Sequence, residues 1–124
     1  MTSDLEALAR RAVACKGWRW FPGMRYRLHP THPWYRFVGD IHDDDGNPCE
    51  ETPPTRQCSR ALPDLSDTIT ALCLLALVRE AWGDPRIVAV PMSGRWFIVG
   101  VPSGEVFFGA TEAEALISAL EAAP

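Results

Sequence analysis

Histidine and cysteine are the residues of this chain that could hold a metal. His29 and His32 form one close ligand pair, and His42, Cys49 and Cys58 are the remaining candidates. A structural zinc site shows two close pairs. Eight residues separate Cys49 from Cys58, so the spacing predicts loop histidines and unpaired thiols. Cys15 and Cys73 fall within helical patterns, where a free thiol behaves as a small hydrophobe. The run His42-Asp43-Asp44-Asp45-Gly46 has the look of a calcium loop. Setting Gly46 at the invariant glycine puts Ile41 where the first carboxylate belongs and Thr52 at the bidentate glutamate position. The loop fails that test and reads as a solvated hairpin tip. Nucleophilic catalysis has no Gly-x-Ser-x-Gly elbow to rest on, and no phosphate loop or dinucleotide fingerprint is present. Ser93-Gly94 and Ser103-Gly104 are turn dipeptides. The expectation is therefore a protein that is not an enzyme, with no metal site and no cofactor.

Charge segregation is the more informative pattern. Between Ala7 and Gly39 lie seven basic residues, Arg10, Arg11, Lys16, Arg19, Arg25, Arg27 and Arg36, and no acidic one. Trp18, Trp20, Phe21, Tyr26, Trp34 and Tyr35 are interleaved with them. Six acids then fall between Asp40 and Glu51, and residues 61–124 hold three basic and eight acidic side chains. Arginine among aromatics is the composition of single-strand nucleic-acid grooves and of protein–protein hot spots. It is equally the composition of a sheet that turns its aromatics to the core and its arginines to water. The net charge of −4 favours a protein partner over nucleic acid. The candidate partner-binding residues are Trp18, Arg19, Trp20, Arg25, Arg27, Trp34 and Arg36, together with the acidic tip Asp43, Asp44 and Asp45. That tip has the charge to mimic phosphate. The alternative is a small nucleic-acid-binding module that uses the Arg/aromatic stretch 10–36.

These residues need a frame. Ser3-Asp4-Leu5-Glu6 is a capping box, and Leu5, Leu8, Ala9, Ala12 and Val13 recur at helical spacing. A first helix is predicted from Asp4 to Cys15. Met24 to Leu28 alternates as a strand with Met24, Tyr26 and Leu28 inward. Trp34 to His42 reads as a longer strand, Asp43 to Asn47 as the tip of a β-hairpin, and a short return strand ends before Pro53. A flexible polar loop is expected near 52–63. Ser66 or Asp64 is expected to cap a second helix that stops at Gly83. Its apolar residues, Ile69, Leu72, Leu75, Leu77, Val78 and Trp82, surround it, so it is the expected central helix. Arg86–Val90, Arg95–Val99 and Glu105–Phe108 then read as an antiparallel meander. Thr111-Glu112-Ala113-Glu114 opens a final helix with Leu116, Ile117 and Leu120 on its apolar face. The order α-β-β-β-α-β-β-β-α predicts an α+β fold. In it an antiparallel sheet of about five to six strands, built from two meanders, packs with three helices.

The chain has 124 residues, 47% hydrophobic and 23% charged, the composition and length of a single globular domain over 1–124. No run of 18 apolar residues is present, and the opening residues lack a basic-then-apolar leader. The expected location is therefore cytoplasmic, with the four cysteines reduced.

Leu8 to Met24 (Leu-Ala-Arg-Arg-Ala-Val-Ala-Cys-Lys-Gly-Trp-Arg-Trp-Phe-Pro-Gly-Met) resembles small bacteriophage and prophage proteins of unknown function. So do Leu62 to Asp67 with the Leu74–Trp82 helix, and Thr111 to Leu116. The layout is also similar to that of phage α-β-α sandwich proteins. The resemblance carries no catalytic residues. What it implies is a phage accessory protein that binds a bacterial host protein, for example as an inhibitor of a host defence such as CRISPR.

Overall fold

The computed structural model describes residues 2–28, 33–37 and 61–124. Among these residues there are three helices: α1 (Thr2–Ala14), α2 (Thr68–Trp82) and α3 (Glu112–Ala122). Six strands of the described residues form two separate three-stranded antiparallel sheets, and the fold is α+β. The first sheet joins β1 (Arg25–Arg27), β2 (Tyr35–Arg36) and β3 (Leu62–Pro63) in the order β2-β1-β3. The second joins β4 (Val88–Met92), β5 (Arg95–Val99) and β6 (Phe107–Gly109) in sequence order.

The single five- to six-stranded sheet expected from the sequence is thus divided in two. Both edges of β1 are filled within its own sheet, and so are both edges of β5. The strands left at the margins are poor templates for further pairing: β2 and β3 have two residues each, and β3 and β4 carry Pro63 and Pro91. The first sheet is also not a meander, because its third strand is Leu62–Pro63, paired to the far side of β1. The hairpin tip, its return strand and residues 38–42 of the long strand lie outside the described residues. So do residues 52–60 of the expected loop.

The second sheet is the expected antiparallel meander, with its middle strand as expected and its outer strands shifted, from Arg86–Val90 to Val88–Met92 and from Glu105–Phe108 to Phe107–Gly109. Met92 pairs with Arg95 across a two-residue loop, and Ser93 and Gly94 have φ of 54° and 75°. Two consecutive positive φ values are the mark of a type I′ hairpin, whose twist suits the flanking strands.

Asp67 caps α2 by accepting from the backbone N–H of Thr70, in place of the expected Ser66 or Asp64. Asp64 instead accepts from the N–H and hydroxyl of Ser66 and holds the turn before the helix. At the other end Gly83 is left-handed (φ 68°), and Asp84 N–H reaches back to Arg79 O, which closes a Schellman cap.

The central helix is α3, not α2. Ala113, Ala115, Leu116, Ile117, Ala119 and Leu120 are all buried, whereas Leu72 and Ile69 of α2 stand 60% and 45% exposed. The reason is side-chain size. The alanines of α3 let neighbouring elements approach from several sides, and Gly109 at the end of β6 has no side chain to obstruct it. A Cβ at Gly109 would sit 2.7 Å from Ala115 N. Leu74, Leu77 and Val78 of α2, Ile98 of β5, Met24 and Ile87 complete the core with Ala9 and Ala12 of α1.

Leu77→Ala is expected to cost about 3 kcal/mol in denaturant unfolding, whereas Leu72→Ala costs under about 0.5 kcal/mol. Equal costs would contradict this assignment of the buried face of α2. Gly109→Ala is expected to destabilise by about 2 kcal/mol, because helix and strand must separate to admit the methyl group.

Candidate functional site

The basic sheet is tied to the start of α2. Arg25 and Arg36 are cross-strand partners, directly opposite one another. Like charges in that position repel, and each is matched by an aspartate from the turn that begins α2. Arg36 forms a two-pronged bridge to Asp67, Nη1 to Oδ2 at 3.0 Å and Nη2 to Oδ1 at 3.1 Å, and also donates to Gly23 O at 2.7 Å. Arg25 Nη1 lies 3.5 Å from Asp64 Oδ2. Thr70 is fully buried between the two elements. Its hydroxyl donates to Asp67 and accepts from Arg25 N–H, both at 2.9 Å.

The Arg36 guanidinium, with the two donors of Thr70, holds the Asp67 carboxyl down from 3.8 to about 2. The same bridge raises Arg36 above its ordinary value. Arg36, a candidate contact residue from the sequence, is thus engaged in holding the fold.

The other arginines show the same pairing. Arg10 meets Glu6 at 2.7 Å, Arg11 meets Glu121 at 2.6 Å, and Arg19 meets Glu80 at 2.8 Å. The hydrogen bonds raise Arg11 and Arg19 and lower Glu80. Arg19 also stacks 3.9 Å over the ring of Phe21. Of the seven basic residues between Ala7 and Gly39, Lys16 and Arg27 alone lack a carboxylate partner among the described residues.

Trp18 and Trp20 pack edge to face at 5.2 Å, and Trp20 meets Tyr26 at 5.8 Å. All three are half-buried, so these tryptophans serve mainly as a bridge from the core to the sheet. Trp34 is different. Arg27 lies 4.3 Å over its ring and Arg25 5.6 Å. These three candidate residues line one groove of about 340 Å³ with Leu5 of α1 and Leu62 and Pro63 of β3. Glu6 and Asp64 also border it, and they are already engaged by Arg10 and Arg25.

The groove can therefore do one thing chemically. Its apolar walls and indole face accept an apolar or planar group. Arg27, whose guanidinium carbon lies 4.3 Å from the centre of the Trp34 ring, has N–H donors for a carboxylate. The groove-lining part of Leu62 and Pro63 was not visible in the sequence, since a two-residue strand containing proline resembles a loop.

Asp43, Asp44 and Asp45 lie outside the described residues, as do His29, His32, His42, Cys49 and Cys58. Burial pushes the Cys15 and Cys73 thiols up, away from the thiolate a nucleophile needs. No group of three metal-ligating side chains occurs among the described residues. No helix among them is long and apolar enough to cross a membrane.

The lowered carboxyl of Asp67 gives a pH dependence of fixed sign. A depressed folded value contributes stability that is present above pH 3.8 and is lost as pH falls toward about 2. With Arg36 two-fifths exposed to water, the contribution is on the order of 1–2 kcal/mol. Acid unfolding followed by circular dichroism should show this loss in the parent chain. In Asp67→Asn the slope between about pH 4 and about pH 2 should flatten, and an unchanged slope would refute the assignment.

No family model, curated protein or solved structure matches the chain.

Proposed function

We propose that this chain is a non-enzymatic protein-binding module that takes an acidic, partly apolar segment of a partner protein into the Arg27–Trp34 groove. The observation that carries the reading is Arg27, which lies over the Trp34 ring, has no carboxylate partner among the described residues and borders a partly apolar groove. Tryptophan and arginine in a concave, partly desolvated setting are the usual anchors of protein interfaces. The nucleic-acid alternative loses support from the pairing of Arg10, Arg11, Arg19, Arg25 and Arg36 with carboxylates. Cations already neutralised within the fold release few counterions from a phosphate backbone. A bacterial host protein as the partner, and inhibition of a host defence such as CRISPR as the outcome, rest on the resemblance to phage proteins alone.

Capture from nuclease-treated bacterial lysate, read by mass spectrometry, tests this reading. A specific protein should be recovered with the parent chain. Its affinity should fall by about 2 kcal/mol, roughly thirtyfold, with Arg27→Glu and with Trp34→Ala. Recovery that both variants leave intact would exclude the groove. Recovery that depends on intact nucleic acid, with a steep loss in salt, would favour the alternative.

A further inference from the structure

A second cavity adjoins the Arg27–Trp34 groove. It measures about 310 Å³, and Leu5, Leu65 and Ser66 border both. The two cavities therefore lie side by side, separated by the first turn of α1 and the turn that precedes α2. Arg27 and Trp34 line only the first. Ala71 and Leu72 of α2, with Glu112 and Ala113 of α3, line only the second.

The second cavity is apolar in its walls. Leu65 and Ala113 are buried, whereas Leu5 and Leu72 stand 41% and 60% exposed at its border. Two leucines left in water beside one concavity mark a place for an apolar side chain. A volume near 300 Å³ is at the small end for a binding pocket, suited to one anchoring group.

The charges of the two cavities are complementary to a particular order in an occupant. Arg25 and Glu6 of the first cavity are paired with Asp64 and Arg10, and Asp67 of the second is paired with Arg36. Two charges remain without an ion-pair partner among the described residues, Arg27 in the first cavity and Glu112 in the second. They are of opposite sign and lie on opposite sides of Leu5.

We propose that the two cavities form one track for a segment of a partner protein. That segment carries an acidic side chain for Arg27, an aliphatic side chain for the cavity beside Leu72, and a basic side chain for Glu112, in that order in either chain direction. The proposal rests on the groove reading above and extends it from one anchor to three. Charged groups at the two ends fix the register of the segment, and the aliphatic side chain between them supplies desolvated contact.

Selection of a random displayed peptide library on the full chain tests the proposal, followed by anisotropy titration of a synthetic selected peptide. The selected peptides should share the acidic, aliphatic and basic positions. Selection on Leu72→Asp should lose the aliphatic preference and keep the acid, and selection on Glu112→Gln should lose the basic preference alone. Each variant should weaken the parent's selected peptide about tenfold. Both positions lie outside the buried core, so thermal unfolding should stay close to that of the parent. An acid that depends on Arg27, accompanied by aliphatic and basic preferences that are missing or that survive Leu72→Asp and Glu112→Gln, overturns the track and leaves the groove reading standing. Selected peptides whose acid persists in Arg27→Glu, or the absence of any selected acid, overturn the groove reading as well. Displacement of the selected peptide at equal affinity by a synthetic copy of residues 40–51 makes the chain's own acidic stretch the occupant and overturns the partner.

Discussion

The carboxylate of Asp67 is the point on which the first half of the molecule depends. It caps α2 through Thr70 N–H, receives the Thr70 hydroxyl, and holds the Arg36 fork. Through Thr70 it is also linked to the backbone of Arg25. One side chain therefore connects a helix start, a sheet edge and the central strand of that sheet. A helix cap alone is worth about 1 kcal/mol. Here the same carboxylate also lets two opposed arginines share a sheet, because the turn 64–67 supplies one aspartate to each.

This constraint explains how the basic stretch is used. A stretch of 33 residues without an acid, from Ala7 to Gly39, looks like a cationic surface when read along the chain. In the fold its arginines meet acids drawn from Glu6, Asp64, Asp67, Glu80 and Glu121. Among the described residues this leaves Lys16 and one guanidinium, that of Arg27, held over an indole at the side of a groove.

The second half of the molecule is organised by size. Alanines in α3 and the missing side chain of Gly109 bring helix and sheet close together. The close approach buries one face of β4-β5-β6 under α3. It leaves Val88, Met92 and Phe108 of the other face exposed.

The sequence by itself determined the elements whose signals are local. The helices follow from their spacing, the start of α3 from Thr111, which accepts from Glu114 N–H at 3.2 Å, and the end of α2 from Gly83, whereas the cap of α2 is Asp67 and not Ser66 or Asp64, and α1 already begins at Thr2, ahead of the Ser3 box. The hairpin at Ser93-Gly94 follows from turn chemistry. The arginines and aromatics worth testing were also visible, as was the α+β class. Tertiary structure alone decided what depends on partners distant in the chain. Arg25, Arg27 and Trp34 share a groove with Leu62 and Pro63, whereas Arg19 and Arg36 are engaged by Glu80 and Asp67. It also decided that the strands divide into two sheets and that α3 lies at the centre. The physical reason is range: capping and periodicity act over a few residues, whereas ion pairing, strand order and burial are fixed only when separate segments meet.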